Sequence, residues 1–301
     1  MSVRRFTNSE LSEWRDCRRR WWFKHYRKLG PREKHINENQ EIGNIYHEAI
    51  AHGYETNWAI DVEAVVAYLV FVLEEKHTCE ICEPKIKKVR EYSEKMVTGY
   101  VEWLAEEGVD QDLILLSTEE EITAPSGLED INLLGKIDAR FQRESDGFIF
   151  FMDHKSVQNL TDRPKWAHLD TQFKFYALLE KLTKTDGTYT DGGIINMARR
   201  VKRSATAKPP FYGRFEVRHS DEELRQFWWS THHTIRDILE AERKIIENQG
   251  MTNHLYPSPS QDCTWKCEFF NACPMVDKGE DLEDYLQAAY IEIDPLERYS
   301  S

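Results

Sequence analysis

The sequence predicts an α/β fold in which a mixed core carries a helical insertion. Up to Gly108 the apolar residues recur at helical spacing. Beyond it the period falls to that of short strands rich in Ile, Leu and Phe, and a further helix and strands follow. With 301 residues, 40% of them hydrophobic, the chain can bury a sizeable core. The expected organisation is a single domain over 1–301. Within it lie a basic N-terminal helix (1–30), a helical insertion (55–110), a core sheet and helix (111–218), a C-terminal helix with a cysteine cluster (219–275) and an acidic tail (276–301).

The first helix is expected from Ser9 to about Lys28, with Ser9 as its cap and neither Gly nor Pro inside. Its stripe of Trp14, Cys17 and Trp21 turns Cys17 inward and sends Arg15, Arg19 and Arg27 outward. A second helix is expected over Glu41–Tyr54, and helical pattern continues from Asp61 to Glu107, broken near Cys79, Cys82 and Pro84. Strands are expected at Leu113–Thr123, Asn132–Arg143 and Gly147–Lys155, the last two joined by a hairpin turn at Glu144–Gly147. Then come a helix at Leu169–Lys181, strands at Gly193–Arg200 and Phe211–Arg218, and a long helix over Asp221–Asn248.

Charge narrows the function classes. With 53 acidic against 40 basic residues the net charge is -13, which excludes a globally basic coat for nucleic acid but leaves room for a local basic patch. The longest apolar run, Val62–Leu73, contains Glu63 and is too short to span a membrane. Met1–Glu10 has no apolar core of a signal peptide, so a cytoplasmic protein with no membrane partner is expected. In that compartment six cysteines are better read as metal ligands or bystanders than as disulfides.

Asp153-His154-Lys155 ends an apolar strand, and residues two apart share a face, so the Asp153 carboxylate and the Lys155 ammonium project together. The hairpin brings a second carboxylate to them. If Ser145-Asp146 is the turn, Asp138 lies opposite Asp153; if Asp146-Gly147 is the turn, Asp138 opposes Lys155 on the same face. Two adjacent carboxylates repel, and a buried pair needs a cation. Hard oxygen ligands suit Mg²⁺ or Mn²⁺, which can activate water and neutralise charge on a phosphate.

Gly43 and His47 lie one helical turn apart, as do Gln172 and Tyr176. In chain order, Gly-x3-His, Gly135-Lys-Ile-Asp138, Asp153-His-Lys155 and Gln172-x3-Tyr176 resemble the four motifs of the RecB-like branch of the PD-(D/E)XK nuclease superfamily. The resemblance implies a restriction-endonuclease-like core. It implies that His47, Asp138, Asp153 and the backbone carbonyl of His154 hold a catalytic Mg²⁺ or Mn²⁺, and that Lys155 serves the attacking water. Gln172 and Tyr176 would then position the DNA strand or the active-site side chains.

Cys263-x3-Cys267-x5-Cys273, among Pro257, Pro259 and Pro274, is one ligand short of a tetrahedral site, and an inward Cys17 is the natural fourth. Iron–sulfur members of the RecB-like branch, including AddB nuclease domains and the CRISPR-associated adaptation nucleases, resemble this chain in placing one cysteine before the nuclease motifs and three after. That resemblance implies a structural [4Fe-4S] cluster joining the N- and C-terminal segments; zinc is the alternative. Cys79-x2-Cys82 reads as unligated thiols or a small zinc site.

Arg15, Arg18, Arg19, Arg20 and Lys24 concentrate in the first helix among aromatic residues, a pattern suited to phosphates and unpaired bases. Arg199, Arg200, Lys202 and Arg203 form a second basic run. The expected function is a phage-type, metal-dependent DNA exonuclease acting on single strands or ends in recombination, repair or replication, in a bacterial or phage-infected host cell. No Walker A motif is present, so unwinding would fall to a separate helicase or recombination protein. The competing reading is a non-catalytic iron–sulfur or zinc module that binds DNA ends or another protein.

Overall fold

The computed structural model describes residues 3–32, 36–59, 61–77, 81–184, 188, 190, 192–202, 206–247 and 252–299. Cys79 and Arg203 lie outside the described residues. The chain divides into two compact units: a terminal unit of Met1–Lys34, Thr123–Leu134 and Arg225–Ser301, and a sheet unit of His35–Ile122 and Gly135–Leu224.

The terminal unit starts with β1 (Arg4–Phe6) and α1 (Asn8–Asp16). Thr7, rather than Ser9, caps α1, its hydroxyl accepting from Glu10 N at 3.2 Å. The single helix expected to Lys28 does not form. Cys17 is extended (φ -159°, ψ 110°), and α2 (Arg18–Trp21) and a π-helical turn (Trp22–Tyr26) follow it. The break keeps its hydrogen bonds, since Cys17 N–H donates to Glu13 O at 2.9 Å and Trp21 N–H to Cys17 O at 3.0 Å. Trp14 and Trp21 pack edge-to-face across it at 4.9 Å. After β2 (Leu29–Pro31) the chain enters the sheet unit.

There α3 (Glu38–Glu55), α4 (Val62–Lys76) and α5 (Glu83–Glu107) bury Ile42, Tyr46, Ile50, Val66, Val70, Val89 and Tyr100 in one core. Asn37 caps α3, and Gly108 ends α5 in the left-handed region at φ 62°. Cys82, buried before α5, is disulfide-bonded, against the expectation of a free or metal-bound thiol. Strands β3 (Leu113–Pro125), β4 (Ile131–Arg143), β5 (Ile149–Val157), β6 (Gly192–Arg199) and β7 (Tyr212–Arg218) pair in that order. β4 and β5 are antiparallel and β5 and β6 parallel, with α6 (Asp162–Trp166) and α7 (Thr171–Thr183) in the crossover; β6 and β7 are antiparallel.

The chain completes the terminal unit through most of α8 (Asp221–Glu247), α9 (Cys263–Lys266), α10 (Cys273–Lys278), α11 (Leu282–Ala289) and β8 (Tyr290–Glu292). β1 pairs in parallel with Ile131–Leu133, and β8 pairs antiparallel with β2. The acidic stretch after Val276 is therefore built into the unit rather than trailing from it. Among the described residues no helix is long and apolar enough to cross a membrane.

Candidate active site and cysteine cluster

The β4–β5 register settles which residues share a face. Ala139 lies opposite Met152 and Gln142 opposite Ile149, so Asp138 stands opposite Asp153, as the Ser145-Asp146 alternative requires. The connection is a Glu144–Gly147 loop in which Gly147 N–H donates to Arg143 O at 2.8 Å, with Gly147 at φ 71°. Both motif glycines sit at close approaches. A Cβ on Gly135 would sit 2.5 Å from Leu179 Cδ1 and 3.2 Å from Tyr176 Cε1, so the glycine lets α7 lie on β4. A Cβ on Gly43 would meet Ser156 Oγ at 3.1 Å where α3 passes β5.

These elements bring His47, Asp138, Asp153, Lys155, Gln172 and Tyr176 together. His47 Nδ1 lies 3.2 Å from Asp138 Oδ2, which also accepts from His154 N–H at 2.8 Å. Lys155 Nζ donates to Asp153 Oδ1 at 2.8 Å and to Gln172 Oε1 at 3.1 Å. Gln172 Nε2 donates to Asp153 Oδ1 at 3.0 Å and lies 2.9 Å from the Tyr176 hydroxyl. Gln172 and Tyr176 thus hold Lys155 and Asp153 rather than standing apart from them.

The two carboxylates titrate in opposite directions. Burial pushes Asp138 up, but the His47 imidazole beside it, with Lys155 and His154, outweighs burial and holds it well below the usual carboxylate range. Burial pushes Asp153 up to about 6 against the pull of Lys155, and the Asp138 charge adds to the rise. His47 is raised, since Asp138 more than offsets its burial. Among the described residues no three His, Cys, Asp or Glu side chains converge at the spacing of ligands on one ion. The donor set itself suits a hard divalent cation: two carboxylates and an imidazole. Asp153 Oδ2, buried with Lys155 Nζ 2.8 Å away, accepts no well-directed hydrogen bond, a cost that cation binding would recover.

The His154 side chain points to the other face of β5 and is fully buried. Its Nδ1 accepts from Asn196 Nδ2 at 2.8 Å, which fixes the neutral tautomer, and burial lowers its pKa to about 3. Asn196 Nδ2 also donates to the Tyr100 hydroxyl at 2.8 Å, and its Oδ1 accepts from Arg214 Nε at 3.2 Å. Arg214 in turn pairs with Asp110 at 2.6 Å, and Tyr54 donates to Asp110 at 2.9 Å. No motif marks this buried network. Glu119 was missed as well. It occupies a left-handed position in β3 (φ 47°), pairs with Lys136 at 2.9 Å, and is raised by burial and by the Asp138 charge.

In the terminal unit Cys17, Cys263, Cys267 and Cys273 are free thiols lining one cavity of about 250 Å³. Ser258 N–H donates to Cys17 Sγ at 3.5 Å and Ser260 N–H to Cys263 Sγ at 3.4 Å. Burial raises the Cys267 and Cys273 thiols.

Arg19 does not face outward. The break at Cys17 shifts the helical phase and buries it at 4% exposure, where its guanidinium forks onto Asp277 at 2.7 and 2.8 Å and reaches Leu255 O and Cys273 O at 3.2 Å. Arg15 Nε donates to Thr234 Oγ1 at 3.1 Å. Arg18 stacks between Trp14 and Tyr256 at 4.8 and 5.0 Å. Arg20 lies 3.3 Å from Asp16, and Lys24 2.6 Å from Glu13. In the sheet unit Arg199 donates to Lys208 O and Pro210 O, and Arg200 to Ser156 O and Oγ.

A sequence profile described as the PD-(D/E)XK nuclease superfamily matches residues 5–274. None of the curated proteins matches the chain. A solved structure titled "Crystal structure of SSO0001" aligns with 15% identity and a TM-score of 0.33, covering 77% of this chain and 97% of that one; a likeness this distant carries no further argument.

Proposed function

The chain belongs to the PD-(D/E)XK nuclease superfamily, whose members imply metal-dependent cleavage of nucleic acid, and from that membership we propose that it is a Mg²⁺- or Mn²⁺-dependent deoxyribonuclease acting as an exonuclease on single strands or DNA ends. The observation that carries this reading is the convergence of Asp138, Asp153 and Lys155 on one sheet face, braced by Gln172. His47, Asp138, Asp153 and the His154 carbonyl would hold the ion. The chemistry a divalent ion supplies there is an acidified water and neutralisation of phosphate charge. Lys155 Nζ, held between Asp153 and Gln172, orients the attacking water and meets the charge that develops on the phosphate. Gln172, itself tied to Tyr176, keeps that amine from swinging away. Arg15, Arg18, Arg20, Lys24, Arg199 and Arg200 are the proposed phosphate contacts; buried Arg19 is not among them.

For the cysteines the proposal is a structural [4Fe-4S] cluster. What supports it is four free thiols lining one cavity of about 250 Å³, with backbone amides on two of the sulfurs; zinc is the alternative. End-labelled DNA incubated with and without Mn²⁺ tests the nuclease reading and gives its polarity; cleavage independent of added metal, or none at all, overturns it. Iron and zinc analysis of anaerobically purified protein tests the cluster, and stoichiometric zinc without iron overturns it.

A further inference from the structure

Between β5 and α7 lies a segment, residues 158–170, whose two ends are pinned at the active site. It leaves the sheet two residues after Lys155 and ends at Asp170, two before Gln172, and Lys155 and Gln172 are hydrogen-bonded at 3.1 Å. The segment is built to hold a shape. Asn159 Oδ1 accepts from Thr161 N–H, Thr161 Oγ1 and Asp162 N–H at 3.0 to 3.1 Å. Asp170 Oδ1 caps α7 by accepting from Gln172 N–H at 2.9 Å, while its Oδ2 accepts from Arg163 Nη1 at 3.0 Å. Ala167 is 1% exposed, and the His168 ring meets Phe215 edge-on at 6.4 Å.

Yet this ordered segment, which tucks Leu160 partly inward, holds two large apolar side chains in water. Trp166 and Leu169 are each 64% exposed. A chain that folds an alanine inward and a tryptophan outward forgoes the burial that would stabilise it most. Lys165 beside Trp166 has a side chain 71% exposed, in a loose, solvent-exposed pair with Asp162 at 3.6 Å, and Arg200 holds its guanidinium on Ser156, next to Lys155.

We propose that Trp166, flanked by Leu169, is a stacking platform for an unpaired base of the nucleic-acid strand held in the active site. The inference rests on the nuclease reading and deepens it by naming what selects the strand. Trp166 precedes Gln172 by six residues, so their Cα atoms lie within about 20 Å even along an extended chain, a few nucleotides of strand. An indole face accepts any base, so the platform discriminates unpaired from paired nucleic acid without reading sequence. Lys165 supplies the phosphate contact next to it. Trp166 is a positioning residue and takes no part in bond breaking.

The test is fluorescence anisotropy of a labelled single strand and of a blunt duplex, in Ca²⁺, with wild type, Trp166→Ala and Trp166→Phe, alongside Mn²⁺ cleavage kinetics. Trp166→Ala should weaken single-strand binding about tenfold and change duplex binding less than about twofold, and Trp166→Phe should recover most of the loss. A strand with abasic positions should erase the difference between wild type and Trp166→Ala, and KM should rise while kcat holds. Wild type that cleaves DNA while Trp166→Ala binds single strands equally well overturns the platform alone. An equal loss on duplex or abasic strand also overturns it, pointing to a charged or protein-binding surface. Wild type that cleaves no nucleic acid with Mn²⁺ or with Mg²⁺ overturns the nuclease reading and this inference with it.

Discussion

The two centres of this protein are assembled by opposite means. In the sheet unit Asp138, Asp153 and Lys155 are placed by backbone register, so the strand ladder keeps their Cα atoms in position whatever the side chains are. In the terminal unit Cys17, Cys263, Cys267 and Cys273 sit at the edges of α2, α9 and α10, helices too short to stand alone, and side chains tie those helices down. Arg19 alone spans the Leu255 carbonyl, the Cys273 carbonyl and Asp277. Reactive residues set by register can be removed without disturbing the scaffold, whereas those set by side-chain ties cannot.

The largest expected effect tests the first half of that contrast. Asp153→Ala and Lys155→Ala should each abolish metal-dependent cleavage of end-labelled DNA while leaving circular dichroism and Tm nearly unchanged, since losing the Asp153 carboxylate also relieves its repulsion with Asp138. Full activity in either purified variant would remove the proposed site; an unfolded variant would remove the contrast.

Next comes replacement of Cys17, Cys263, Cys267 or Cys273 by Ser. Each should strip the iron and brown colour of anaerobically purified protein and lower its solubility. A colourless but fully stable Cys17→Ser protein would show that the terminal unit does not depend on the cysteines.

Arg19→Met should follow, costing about 1–2 kcal/mol in thermal or urea unfolding, because it leaves Cys273 O and Leu255 O without their donor and removes a buried guanidinium from an exposed Asp277. The salt dependence of DNA binding should keep its slope, since Arg19 releases no counterion. A shallower slope would return Arg19 to the phosphate contacts.

The smallest effect is acid sensitivity at Glu13. Burial raises its pKa, but hydrogen bonds and charge from His25 and Lys24 outweigh burial and lower it from 4.5 to about 2. A depressed carboxylate stabilises fully above its unfolded value, and this stability is lost as pH falls from about 4.5 toward about 2. Glu13→Gln should flatten that limb of the stability profile by roughly 1–2 kcal/mol; an unaltered limb would place the sensitivity elsewhere.

What the sequence made legible follows the same division. Strands β3 to β7, the hairpin and α7 are legible because apolar period and a Gly-containing turn are local signals, and the shared face of Asp138 and Asp153 follows from them once the loop length is known; the three-residue strands β1, β2 and β8 are too short to carry such a signal. The break at Cys17 is not legible, since neither Gly nor Pro marks it and the Trp14–Trp21 packing that accompanies it is tertiary. Arg19 was misplaced for the same reason: an uninterrupted helix puts it on the wrong face. Glu119 escaped because nothing in strand alternation anticipates a left-handed glutamate, and the Arg214–Asp110–Tyr54 network because its members are far apart in sequence.

The folded acidic stretch also bears on how the protein is handled. Arg27 forks onto Glu283 at 2.9 and 2.8 Å, and Arg32 donates to the carbonyls of Gln287, Ala288 and Tyr290. Proteolytic loss of the chain beyond Pro274 would remove these partners, together with Asp277 and the strand that pairs with β2. The remaining fragment would present Arg19, Arg27 and Arg32 to any polyanion. It would cling to heparin resin and to bulk DNA through those guanidinium groups, and its apparent affinity would describe the damage rather than the enzyme.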